Sequence, residues 1–163
     1  MWWRRRQPEV TGLPVQLNAA KANAWSKVAA HYADVRQSQG LLWNRANHVD
    51  LQNFFLDRHE ELKREFPREY GELERSLVEE NLAKFKAGAP PLSQPLALDF
   101  TGKNEFEQSA ACWDQLLMVY CRIHARLKVE LRTWNEKDFQ EFEAALVDLR
   151  KAAQQPSAIA TAS

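Results

Sequence analysis

One stretch of this chain is apolar on nearly every side of a helix. From Trp113 through Leu116, Tyr120, Ile123, Leu127 and Leu131 to Trp134, large apolar residues follow one another at steps of three and four. That spacing lays a single stripe along an α-helix. Across residues 110–125 the opposite side carries Met118, Cys121 and Ala125. A helix apolar almost all round has no face to give to water, so it belongs in the middle of a bundle. Asn104, with Glu107 three positions on, has the spacing of a capping box and marks the start. The helix is therefore predicted from about Asn104 to about Arg132. Thr133-Trp-Asn-Glu136 repeats that spacing and places a break before the next helix.

Glycine and proline divide the rest into segments long enough to surround such a centre. Of the five glycines only Gly71 interrupts a periodic segment, and of the seven prolines only Pro67 stands between two of them without a connection. Pro67 fits there as a first-turn residue. A first helix is predicted from about Leu17 to Gln39, with Asn18 as its cap and Trp25, Val28, Tyr32 and Val35 as its stripe. A second runs from about Asn47 to Phe66 with His48, Leu51, Phe55, His59, Leu62 and Phe66 on one face. The third, Arg68 to Lys86, carries Tyr70, Leu73, Leu77, Val78, Leu82 and Phe85. Residues 88–102 form one long Pro-rich connection, and the last helix ends near Gln154 with Phe139, Phe142, Leu146, Leu149 and Ala153 facing inward. Val, Ile and Thr never gather into alternating runs, so no strand is expected. The expected fold is all-α: a single-domain bundle of about five helices over residues 17–154, an aromatic and basic arm at 1–16, and a loose tail at 155–163.

The 163 residues suffice for one core and not comfortably for two. Basic and acidic residues balance at 22 each, so no global field draws the molecule to nucleic acid or to an anionic membrane. No apolar run approaches a membrane span. Trp2-Trp3-Arg4-Arg5-Arg6 has the charge of a signal-peptide start, but Gln7-Pro8-Glu9 follows where the apolar stretch should be. A cytoplasmic location is expected. Cys112 and Cys121 fall on opposite sides of the central helix, roughly 13 Å apart along its axis. A disulfide needs Cα atoms within about 7 Å, so two buried thiols are expected.

No catalytic constellation stands out. None of His31, His48, His59 and His124 has a Glu three residues before it, as di-metal bundle sites require. Cys121 and His124 share a helical turn but find no second pair to close a zinc site. His48 and His59 lie on an apolar stripe and read as core histidines, with a bundle-core enzyme site as the rarer outcome. Phosphate-cradling glycine motifs and nucleophile elbows are missing. Neither metal nor cofactor is expected.

What remains is aromatic and basic. Residues 1–40 carry six basic residues against two acidic, while 41–88 and 89–163 each carry eight against ten. Trp2 and Trp3 precede Arg4, Arg5 and Arg6, and Trp43 follows Gly40. Large aromatics outside the periodic faces either fold back over the bundle or anchor a partner, because Trp and Arg dominate interface hot spots. A second strip, Arg122, Arg126, Lys128 and Arg132, lies along the central helix. The preferred reading is a non-enzymatic helical binding module, an adaptor or small subunit that contacts another protein or a second copy through Trp2, Trp3, Arg4, Arg5, Arg6 and Trp43. The alternative is a nucleic-acid-associated protein using the basic arm and the 122–132 strip to track phosphates.

Overall fold

The Asn104 side chain accepts a hydrogen bond from the Glu107 amide at 2.8 Å, and the Glu107 carboxylate accepts one from the Asn104 amide at 3.1 Å. This reciprocal pair opens the central helix at the position its spacing predicts. The structure is a computed structural model that describes residues 15–39, 45–88 and 98–154. These form five helices and no strand: α1 (Val15–Gln39), α2 (Arg45–Glu65), α3 (Pro67–Lys86), α4 (Glu105–Glu130) and α5 (Glu136–Gln154). The all-α bundle is what the periodicity implied.

α4 is the axis of the bundle. α1, α3 and α5 lie against it, and α2 reaches it through Phe55. That ring, with no exposed surface, has its centroid 5.2 Å from Trp113, 5.1 Å from Tyr120 and 5.3 Å from Phe142 of α5. Trp113 is equally enclosed, and its indole N–H donates to the Tyr70 hydroxyl of α3 at 3.2 Å. The indole thus satisfies its one polar group inside the core. Leu116 and Ile123 are buried on one side of the helix and Cys121 and Ala125 on the other, as a helix covered all round requires. Cys112 and Cys121 are free and buried, and burial raises their thiol pKa values to about 11 and about 12.

Several boundaries differ from expectation. α1 starts at Val15, which puts Asn18 inside the helix rather than at its cap. Phe66 belongs to the α2–α3 joint: at φ −131° it leaves helical geometry, and Pro67 then opens α3. The apolar face expected for α3 outruns its neighbours, leaving Leu82 and Phe85 exposed near the end while Tyr70 and Leu77 are buried. Ala153 is exposed at the close of α5. Of the 88–102 connection, Leu98 and Phe100 pack against the core, and Gly102, at φ +73°, makes the turn into α4.

Two titratable groups sit badly in this core. His59 is buried among Phe55, Tyr70 and Tyr120, and its Nδ1 has no hydrogen-bond partner. Burial holds its pKa below the ordinary histidine value, against the pull of Glu74 and Glu60. Glu143 lies opposite Tyr32; burial lifts its carboxyl to about 7, with Arg36 and the Tyr32 hydroxyl only partly offsetting this.

The packing makes two expectations concrete. Leu116→Ala should destabilise the fold by on the order of 2–5 kcal/mol in denaturant unfolding, the range for a fully buried leucine; a loss under about 0.5 kcal/mol would put that face at the surface. His59 should make stability fall with pH below the unfolded-state histidine value, about 6.5, because the unfolded chain then takes up a proton that the folded one refuses. Glu143 works the other way, since the folded state binds its proton more readily between the ordinary carboxyl range and about 7. The two separate by mutation: the melting temperature of His59→Leu, relative to the natural chain, should climb steadily as pH drops from about 7.5 to 5.5.

Candidate docking surface

α4 does not run on to Arg132. It stops at Glu130, and Leu131 takes a left-handed conformation, φ 53° and ψ 50°. The Arg132 amide then donates back to the Leu127 carbonyl at 3.1 Å. This is a Schellman turn, a position that glycine usually fills because a Cβ in left-handed geometry costs about 1 kcal/mol. The apolar period of α4 puts Leu131 on the core stripe. Instead its side chain is 90% exposed. The turn swings it outward one residue after the helix ends.

The break before α5 is capped two residues later than Thr133–Glu136 would place it. Asn135 and Asp138 form the box: the Asp138 amide donates to the Asn135 side chain, and the Asn135 amide donates to the Asp138 carboxylate, both at 3.0 Å. Asp138 is only 1% exposed and also takes Arg126 at 2.7 Å and Arg132 at 2.6 Å. Burial alone would raise its pKa, but Arg132, the Asn135 amide and Arg126 together hold it below the usual carboxylate range. Arg126 bonds Glu141 at 2.7 Å as well, and Arg132 bonds Glu130 at 2.6 Å. One carboxylate thus caps α5 and ties it to the end of α4.

Between the turn and this cap lies Trp134. Its ring packs 5.3 Å from Phe139 and 6.1 Å from Tyr120, and the His124 imidazole stacks on Tyr120 at 5.7 Å. A groove of about 530 Å³ opens here, lined by His124, Leu127, Lys128, Leu131, Arg132, Thr133 and Trp134. Every ionisable group on that lining is basic. His124 is kept below its ordinary pKa by burial and by Lys128, with Glu74 pulling the other way from 4.0 Å. Arg132 is already answered by two carboxylates, so Lys128, exposed and without an ion pair among the described residues, supplies the free charge.

The sequence-predicted positions divide accordingly. Arg126 and Arg132 are half-buried and engaged in holding the α4–α5 joint. Arg122 is half-buried and Lys128 exposed, and neither makes an ion pair among the described residues. Trp2, Trp3, Arg4, Arg5, Arg6 and Trp43 lie outside the described residues. His48 and His59 are both buried, His48 with its ring edge-on to Phe139. Among the described residues no group of three or more His, Cys, Asp or Glu side chains is placed to hold a metal ion, and no helix is long and apolar enough to cross a membrane.

Comparison with protein-family models, with curated proteins and with solved structures finds no match. Function has to be read from the geometry.

The Leu131 turn gives a direct test of strain. Leu131→Gly should raise stability by about 1 kcal/mol in denaturant unfolding, since it relieves the left-handed backbone and surrenders almost no burial. An unchanged or lower stability would mean that the leucine is held in place by contacts of its own.

Proposed function

We propose that this chain is a helical binding module, an adaptor or small subunit of a larger assembly, and that the α4–α5 corner is one of its docking surfaces. The observation that carries the reading is Leu131. A strained backbone and a large apolar side chain left 90% in water are two separate costs, and the fold draws no packing from either. Strain that the surrounding structure maintains without structural return is characteristic of ligand clamps and interfaces. The groove beside it, with an aromatic floor and a basic rim, fits a short segment of another protein that offers one large apolar side chain flanked by acidic residues. Apolar burial would supply affinity, and the Lys128 ammonium would favour the acidic flanks.

The reading is tested with a random 12-residue peptide library displayed on phage and selected on the full chain. Enrichment of acidic peptides around a large apolar residue is expected. The double change Lys128→Glu and Leu131→Ser, both at exposed positions, should abolish their binding without lowering the melting temperature. No enrichment, or peptides indifferent to the double change, overturns the docking surface. A fluorescent oligonucleotide that binds at low salt and is lost steeply toward physiological salt would instead favour the nucleic-acid reading, with Arg122 and Lys128 as the contacts to remove first.

A further inference from the structure

A second cavity lies away from that corner, and it contains a buried charge. About 220 Å³ opens among α1, α3 and α4, with mostly apolar walls that include Met118 and the Tyr70 ring. Lys21 is on its wall with its side chain only 3% exposed. Its Nζ donates to Asp114 Oδ1 and stands 5.9 Å from the centroid of the Tyr70 ring. Asp114, by contrast, is 42% exposed, and its Oδ2 has no hydrogen bond among the described residues. Glu69 also lines the cavity. Desolvating an ammonium group is expensive, and apolar side chains of similar volume commonly give equal or better stability. A buried lysine on the wall of a cavity therefore calls for an explanation beyond packing.

The charge arithmetic gives the sign of a ligand. One ammonium faces two carboxyl groups, so the lining carries an excess of negative charge. An anion entering this cavity would meet Glu69 and the free oxygen of Asp114; a cation would complete them. Burial raises the Asp114 carboxyl above its ordinary pKa, and Lys21 offsets this only in part; because Lys21 takes Oδ1, Oδ2 is left as an acceptor facing partly open space. The Tyr70 face attracts a cation electrostatically, and the Met118 thioether makes favourable contact with an aromatic ring.

We propose that this cavity binds a small organic ammonium ion: a protonated amine against Asp114 Oδ2 and Glu69, on an apolar, ring-containing body of roughly ten non-hydrogen atoms, the size that a cavity smaller than drug-sized pockets admits. Lys21 is a positioning residue, fixing the Asp114 carboxylate. The site shares no residue with the α4–α5 groove and stands whether or not that surface docks a protein.

The chain supplies its own reporter. Met118 lines the cavity, and the one other methionine is Met1. In the full chain labelled with ¹³C at the methionine methyls, phenethylamine should shift the Met118 signal saturably, with a dissociation constant below about 1 mM. Its carboxylate counterpart, phenylacetate, should bind at least about tenfold more weakly. Asp114→Asn should weaken phenethylamine by a similar factor while Lys128→Glu leaves it unchanged. Should Asp114→Asn fail to fold, the amine-against-carboxylate comparison on the natural chain decides alone. A Met118 signal unmoved by about 10 mM phenethylamine, or moved equally by phenylacetate, overturns the site.

Discussion

Phe55 meets Trp113, Tyr120 and Phe142 within a shell of 5.1–5.3 Å, and so joins α2, α4 and α5 at one point. A helix as apolar as α4 is intolerable in water on any side, so every other helix is recruited to cover it. Full burial of each large apolar side chain stabilises the fold by roughly 1.5–3 kcal/mol, and α4 alone contributes Trp113, Leu116, Leu117, Ile123 and Leu127. No single ion pair among the described residues competes with that sum. The aromatic junction is therefore what the bundle is built round, and the charged contacts select its details.

Those details are set by two buried charges that act differently. Asp138 is enclosed and fully answered by two guanidinium groups and a backbone amide, so it locks the angle at which α5 leaves α4. Removing one partner would strand a charge in the interior, which costs more than the intact set contributes. Lys21 is enclosed but its partner Asp114 is half open to solvent. The first arrangement closes a joint. The second leaves an acceptor at the edge of a cavity. Both arrangements involve carboxylates of similar chemistry, and surroundings alone separate their roles.

Local signals were legible in the sequence because they depend on residues a few positions apart. The Asn104–Glu107 box, the α4 stripe and the Pro67 start all follow from spacings of three and four. The core placement of His59 followed from the same period. The end of α4 did not, because Leu131 continues the apolar period while the backbone has already turned; Arg-Thr-Trp-Asn offers no glycine to mark the turn. Thr133–Glu136 and Asn135–Asp138 both have capping spacing, and tertiary burial of Asp138 decides between them. Asp114 and Lys21 are 93 positions apart, so no local pattern could pair them. The basic strip lies along one helix in the sequence, yet acids from α5 answer Arg126 and Arg132, which only packing reveals.

The two cysteines carry a consequence for watching the molecule move. Only a thiolate attacks an alkylating reagent, and burial has pushed both thiols to about 11 and about 12. At neutral pH neither reacts appreciably while α4 stays covered. Cys112 and Cys121 sit on opposite sides of that helix, so each is uncovered by the departure of different neighbours. Their separate rates of modification would act as two clocks, timing how often each side of the bundle opens and whether both sides open together.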